Sequence, residues 1–521
     1  MSKNHNLYAA LRAAFPADLD STAIDVADGP GAGSRYSWRD LDQGSAMLAN
    51  LLSSLALPDG ARVAVQLDKS VESLMLYLAV IRAGYVYLPL NNAYQASEVE
   101  YFLGNAEPSV VVCTAKNLVW IAPMAKRLGV QQVFTLEDNR TGSLLDQALG
   151  QSKVHTPVAR KRDDLAAILY TSGTTGRSKG AMLSHGNLLS NAEVLKDYWD
   201  WRAGDVLIHA LPIFHAHGLF VASHGALLNG SRMIWFHKFD AKAVVARLGE
   251  ATVFMGVPTL YVRMLEETGL TRSACRHMRL FISGSAPLLL ETFQLWQERT
   301  GHTILERYGM SETVMLTSNP CKPEGGARVG GTVGFPLPGV GLRIHDEQEH
   351  PVPTGEIGGI QVKGPNVFSG YWRMPEKTAE EFTTDGWFKT GDVGKSDADG
   401  RVTIVGRSKD LIISGGYNVY PAEIEGWLNE MPAVQESAVI GAPHPDFGEA
   451  VLAVLVPRPG LPAPVPAEVI AALKGRIANF KVPKAVYVES ELPRNAMGKV
   501  QKNLLRERYQ ARFAAEQPRR G

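Results

Sequence analysis

Net charge is the first thing this 521-residue sequence lacks: 53 Lys and Arg balance 53 Asp and Glu. A general nucleic-acid binder carries a basic excess, so that class is set aside. Cysteine is scarce as well. Cys113, Cys275 and Cys321 lie far apart, with neither metal-ligand spacing nor a disulfide framework, as expected in a reducing compartment. Long hydrophobic runs are missing too. The longest apolar stretch, "LMLYLAVIRAGYVYLPL", is broken by Arg82 and Gly84 and is too short to span a bilayer. The opening "MSKNHNLYAALRAAFPADLDST" has no apolar h-region after a basic start, so no signal peptide is expected. These absences predict a soluble, cytoplasmic protein with no nucleic-acid and no membrane partner.

What is present is an ordinary globular composition, 45% hydrophobic and 20% charged, on a chain long enough for two or more domains. "RVAVQL" (62–67), "YVYLPL" (85–90) and "SVVVC" (109–113) read as strands, separated by helical patterns over 70–84 and 97–106. This rhythm predicts a largely parallel sheet covered by helices. "DVLIHALP", "RMIWF" and "MRLFISGSAP" repeat the strand signal, and no repeat of fixed period exists. Beyond about residue 330 short strands separated by Gly and Pro suggest an antiparallel β subdomain. From Lys409 a section with its own β and α pattern begins, and "VPRPGLPAPVPAE" (456–468) reads as a surface loop within it. The expected fold is α/β. A large N-terminal domain, 1–408, has mixed and parallel sheets with helices and a small β-rich subdomain; a small mobile α+β domain, 409–521, follows.

"YTSGTTGRSKG" (170–180) is the stretch richest in chemistry. Its hydroxyls, glycines and Lys179 can converge on phosphate oxygens. Lys179 is followed by Gly180 and a strand-like "GAMLSH", so a hairpin loop is expected rather than a Walker loop opening a helix. Taken alone, the stretch also suits a mobile surface loop. "GPGAGS" (29–34) imitates a nucleotide loop but lies between apparent hairpin strands and reads as a turn. "HAH" (215–217) reads as two histidines pointing opposite ways on a strand, with no third metal ligand nearby.

In order along the chain come "YTSGTTGRSKGAMLSHGNL", "ERYGMSET" (306–313), "GWFKTGDVG" (386–394), "GRSKDLIISGGYNVYPAEIE" (406–425) and "PRNAMGKVQK" (493–502). Together they resemble the adenylate-forming superfamily of acyl-CoA synthetases, luciferases and peptide-synthetase adenylation domains, over nearly the whole chain. That resemblance implies roles. Thr171, Ser172, Gly173, Thr174, Thr175 and Lys179 grip the β- and γ-phosphates of ATP, and Glu312 ligates Mg²⁺. Gly284, Ser285, Ala286 and Pro287, with Glu306, Arg307, Tyr308 and Gly309, form the adenine slot, Tyr308 stacking; Met310 and Ser311 continue the nucleotide site. Ser311 stands where many relatives have Thr, and it keeps the hydroxyl. Asp392 binds the ribose hydroxyls, Arg407 positions ribose and phosphates, and Lys499 is the catalytic lysine, bridging carboxylate and α-phosphate. Gly415 and Gly416 lie in the segment that meets the pantetheine arm of coenzyme A, Lys409 is the hinge of a domain rotation, and His215 gates the acyl pocket.

No carrier domain follows the lysine motif, which favours coenzyme A as acceptor. "ALPIFHAHGLFVA", "GVPTLYVRML", "MRLFISGSAPL" and "KGPNVFSGYWRMPEKT" resemble malonyl-CoA synthetases of the bacterial type, which implies malonate as the acid. A second carboxylate needs a cation. Arg279 starts the strand "RLFISGS", more than about 10 Å from its carboxyl end at 3.3 Å per residue. Arg263 is expected one turn inside a helix capped by Thr259, and is therefore the candidate, with Ser285 and His217 beside it. The other readings are a synthetase for another short-chain, methylmalonic or aromatic acid, and a non-catalytic nucleotide or CoA binder on the same fold. Relatives also suggest a lysine acetyltransferase and deacetylase acting on Lys499.

Overall fold

The computed structural model describes residues 4–171, 178–415, 417–495 and 498–513. Packing divides the chain into two compact units, 1–341 with 362–388, and 342–361 with 389–521. Residues 389–408 thus group with the C-terminal residues. The sequence reading places the domain boundary at 408/409, whereas packing groups 342–361 and 389–408 with the C-terminal residues as well.

The first unit contains a nine-stranded and a six-stranded sheet. The six-stranded sheet runs Gln132–Thr135, Val110–Cys113, Arg62–Gln66, Val86–Pro89, Leu165–Thr171, Lys179–Ser184. It is parallel up to its last pair, where Thr171 lies opposite Lys179 in an antiparallel ladder. The alternation read from 62 to 113 is the one observed. Ser70 caps the helix Val71–Arg82, and all twelve of its residues are buried, which explains its near-continuous apolar run. "GPGAGS" is a turn between the antiparallel strands Thr22–Val26 and Arg35–Ser37, with Gly29 and Gly33 at φ 76° and 83°.

In the nine-stranded sheet four neighbouring strands, Val206–His209, Val253–Gly256, Leu280–Ser283 and Leu305–Tyr308, run parallel. Their carboxyl ends share one edge, so the segments that follow His209, Gly256, Ser283 and Tyr308 gather there. The edge of a parallel sheet at its carboxyl ends is where α/β proteins bind ligands.

The second unit holds a five-stranded sheet and most of a four-stranded sheet whose strands lie between residues 341 and 407. In the five-stranded sheet Val434–His444 pairs antiparallel with Gly448–Pro457, which pairs parallel with Ala485–Val488. Segment 458–465 is a loop between strand and helix, as its composition suggested. Among the described residues no helix is long and apolar enough to cross a membrane.

Candidate active site

Strands Leu165–Thr171 and Lys179–Ser184 form the hairpin expected for "YTSGTTGRSKG". Residues 172–177, with Ser172, Gly173, Thr174 and Thr175, lie outside the described residues. Lys179 at the foot of the hairpin is largely buried. Its Nζ is 3.0 Å from Glu381 Oε1 and 4.3 Å from the ring centroid of Tyr371. The Tyr371 hydroxyl lies 3.0 Å from Glu312 Oε1 and donates to it. Burial, with the charges of Glu312 and Glu381, pushes the Tyr371 pKa up, so this hydroxyl stays a donor at neutral pH. Glu312 itself is buried, and its backbone carbonyl accepts from Phe368 N–H at 2.8 Å. Two members of this array were missed in the sequence. Tyr371 sits in a stretch quoted for its family likeness, and nothing local marked Glu381.

A second cluster lies where strands Leu280–Ser283 and Leu305–Tyr308 end. Glu306 and Arg307, adjacent on one strand, face opposite sides of the sheet, and both are buried. Glu306 Oε1 accepts from Leu288 N–H at 3.0 Å and so ties down the 284–287 loop, while its Oε2 has no partner among the described residues. Burial raises the Glu306 carboxyl pKa to about 8. The Arg307 guanidinium lies against Gly284, where a Cβ would come within 2.5 Å of Nη1. Its Nε and Nη2 have no hydrogen-bond partner among the described residues. Burial lowers its pKa to about 9, which still leaves it charged at neutral pH. Ser285 sits in the left-handed region at φ 71°, and its Oγ is 3.3 Å from His217 Nδ1. Burial first, and then the charge of Arg307, hold His217 well below the usual histidine range. A neutral imidazole and a hydroxyl thus meet at Ser285, and the buried Arg307 cation lies near enough to His217 for its charge to be felt there.

Three local expectations are corrected. His215 and His217 are not on a strand: His217 begins a π-helical stretch, His217–Ser223, and its N–H points to His215 Nδ1 at 3.3 Å. Helix Pro258–Leu265 is not capped by Thr259. Its cap residue is Val257, and Pro258, with its fixed φ, supplies the first helical position. Arg263 accordingly falls in the last turn, where it is exposed and has no ion-pair partner among the described residues. Arg279 is spent elsewhere, its Nη2 lying 2.5 Å from Asp205 Oδ2.

Tyr308, Met310 and Ser311 are half-buried along the same edge, with Ala286 half-buried and Pro287 exposed on the neighbouring loop. In the second unit Asp392 and Arg407 stand opposite each other on paired strands, Arg407 Nε 3.1 Å from Asp392 Oδ1, with Asp392 buried. Lys409 lies in the short 3-10 turn Ser408–Asp410 between two strands. Gly415 has φ 59°, and Gly416 lies outside the described residues. The Lys499 N–H donates to Asn495 Oδ1 at 3.0 Å, and its carbonyl accepts from Asn495 N–H at 2.9 Å.

Residues 12–372 match the family described as AMP-binding enzyme, and residues 423–499 its C-terminal domain. A malonate–CoA ligase of Arabidopsis thaliana is 35% identical over 86% of this chain and 78% of its own. A feruloyl-CoA synthase of Amycolatopsis is 34% identical over 92% and 94%. The solved structure of ATP-bound MatB from Rhodopseudomonas palustris is 53% identical, covers 98% of this chain and 100% of its own, and superposes with a TM-score of 0.94. The chain belongs to the AMP-binding enzyme family and is an acid–thiol ligase of the AMP-forming, acyl-CoA synthetase kind.

Proposed function

We propose that the enzyme is a malonyl-CoA synthetase, converting malonate, ATP and coenzyme A to malonyl-CoA, AMP and pyrophosphate. The observation that carries this reading is Arg307, a buried charged guanidinium whose Nε and Nη2 are unspent among the described residues, near the His217–Ser285 pair. Burying an unpaired charge is costly, and a site that does so gains when a substrate anion arrives. An acid with a second carboxylate supplies that anion; butyrate or benzoate does not. Arg307 thereby takes the role that sequence reasoning gave to Arg263, which is left as a contributor from the exposed face of its helix. The relatives named malonate–CoA ligase support the same substrate.

In the first half-reaction a malonate carboxylate oxygen attacks the α-phosphorus. A carbonyl–O–P bond forms, the α–β phosphoanhydride breaks, and pyrophosphate leaves. In the second, the coenzyme A sulfur attacks the acyl carbon, the thiol proton departs and AMP leaves. Lys179 meets the β- and γ-phosphates, exchanging Glu381 for them. Asp392 accepts from the ribose hydroxyls. Lys499 supplies its ammonium during adenylation, and the chain pivots at Lys409 before thioester formation. Acetylation of Lys499 by an acetyltransferase, reversed by a deacetylase, would remove that charge and stop the first step.

For Mg²⁺ the residues fit. Among the described residues no group of three or more His, Cys, Asp or Glu converges, and Glu312 offers one buried carboxylate beside Tyr371. Mg²⁺ bound with nucleotide takes one or two carboxylates, with phosphate oxygens and water completing its shell. Glu312, held by Tyr371, would be its ligand, and the ion would neutralise charge on the leaving pyrophosphate.

A second reading, an aromatic or other short acid, is favoured by the feruloyl-CoA synthase at 34% identity. Pyrophosphate release from malonate, methylmalonate, succinate, acetate, butyrate and benzoate separates the two. Malonate should be preferred in the wild type, and Arg307→Met should lower its kcat/KM by about one to two powers of ten, the worth of a charge-assisted hydrogen bond. Butyrate should be spared. Equal loss with every acid would reject the assignment.

A further inference from the structure

Lys69 is the most unusual cation in the first unit outside the site just described. It is buried, and no carboxylate stands within ion-pair distance of its amine among the described residues. Its Nζ lies 2.9 Å from His209 Nδ1, 2.8 Å from the His209 carbonyl oxygen and 4.2 Å from the centroid of the Trp235 ring. The chain thus packs an amine against an imidazole and an indole face, where a methionine would cost less.

Its partner explains what the amine does. His209 is the last residue of the strand Val206–His209, at the sheet edge that carries the candidate active site. Its Nε2 is 3.0 Å from the Gly218 carbonyl oxygen, an acceptor only, so Nε2 must carry the proton. Nδ1 of the neutral ring is then an acceptor, and the Lys69 amine fills it while also donating to the carbonyl. Burial first, and then the neighbouring Lys69 amine, hold His209 well below the usual histidine range, and burial lowers the Lys69 amine as well. Ser223 Oγ donates to the same Gly218 oxygen at 2.9 Å and stands 3.0 Å from His209 Nε2.

Gly218 is the second residue of the π-helical stretch, and Ser223 is the last. A π turn is wider than an α turn, and such turns gather at functional sites. Here two side-chain donors meet the Gly218 carbonyl from outside the helix ladder. Gly218 is also pressed against the preceding segment, where a Cβ would lie 2.0 Å from the Pro212 carbonyl oxygen. The residue directly before it, His217, faces Ser285.

We propose that Lys69 and His209 are positioning residues for the acid substrate: the amine fixes the tautomer of His209, His209 pins the first turn of the π-helix, and that turn aims His217 at Ser285 and the bound acid. The inference rests on the reading of His217, Ser285 and Arg307 as the acid site, but not on the acid being malonate.

The test uses Lys69→Met, His209→Phe and His209→Gln in the full-length enzyme, with KM measured for ATP and for whichever acid the wild type prefers. A glutamine amide can donate to the Gly218 carbonyl as Nε2–H does; a phenyl ring cannot. Lys69→Met and His209→Phe should raise the KM of the preferred acid at least tenfold and leave the KM of ATP within twofold. His209→Gln should recover most of the loss. The proposal is overturned if the KM values of acid and ATP rise together, if neither changes, or if His209→Gln is as impaired as His209→Phe. A wild type that prefers a monocarboxylate would reject the malonate assignment, while the same variants, read on that acid, would still decide this one.

Discussion

The Tyr371 hydroxyl donates to Glu312 Oε1 at 3.0 Å. The same ring presents its face to the Lys179 ammonium, so one side chain links the proposed metal ligand to the proposed phosphate-binding lysine. Tyr371→Phe keeps the ring and its hold on Lys179 and removes only the hydrogen bond. A bond to a charged group is worth about 1.5–3 kcal/mol, so the KM for MgATP should rise about tenfold or more. The KM for the acid should not follow. Pyrophosphate release at varied ATP decides it, and an unchanged ATP dependence would remove Tyr371 from the nucleotide site.

Arg307 should trade stability for binding. A buried cation without a partner destabilises the fold, and replacing it by an apolar side chain of similar length is often neutral or stabilising. Arg307→Met should therefore melt at the wild-type temperature or above it while losing malonate turnover. A clear fall in Tm would mean that the guanidinium serves the fold instead.

Arg279 should do the opposite. It pairs with Asp205, whose side chain is only 4% exposed. Removing one partner of such a pair leaves a buried charge and costs about 3 kcal/mol. Arg279→Ala should lower Tm and leave the malonate-to-butyrate ratio of kcat/KM unchanged. A selective loss of malonate activity would move the distal-carboxylate role to Arg279.

Glu306 gives the fold a pH dependence of definite sign. Its carboxyl is raised to about 8 in the folded chain by burial, against the opposing Leu288 N–H, whereas an unfolded glutamate ionises near about 4.3. The folded state therefore holds the proton more tightly. The stabilisation is complete below the unfolded value and is lost as pH rises toward and through the folded one, by up to about 1.4 kcal/mol per pH unit. Melting from pH 6 to pH 9 should show a steeper decline for the wild type than for Glu306→Gln, which cannot ionise. Parallel profiles would show that Glu306 is not the group responsible.

The parts of this molecule legible in its sequence are those fixed by near neighbours in the chain. The hairpin around Lys179 and the alternation from Arg62 to Cys113 follow from local period and turn chemistry, and the ordered motifs carried the family. What stayed hidden depends on distant segments meeting. The orientation of Arg307 is set by Gly284 on the adjoining strand's loop, and Lys69 gains its meaning from His209, 140 residues away. His215 and His217 were misplaced because a π turn is pinned by contacts outside it. Thr259 was misread as a cap because Pro258 had already started the helix.

The division of labour between the half-reactions is testable with two substitutions. Lys499→Ala should abolish malonyl-AMP formation by about two to three powers of ten, the usual worth of several kcal/mol in a transition state. Thioester formation from supplied malonyl-AMP should survive. Lys409→Pro, which fixes φ at the proposed pivot, should do the reverse. Equal losses in both half-reactions for either variant would reject its assigned role.

The proposed selection of an acid with a second carboxylate rests on Arg307, a buried cation whose Nε and Nη2 have no partner among the described residues. Its most direct measurement is kcat/KM for malonate against butyrate, by pyrophosphate release, in the wild type and in Arg307→Met. The wild type should favour malonate by at least about tenfold, and the substitution should reduce that preference by about one to two powers of ten, mainly through malonate. A wild type that uses butyrate as well as malonate, or a preference that survives in Arg307→Met, would contradict it.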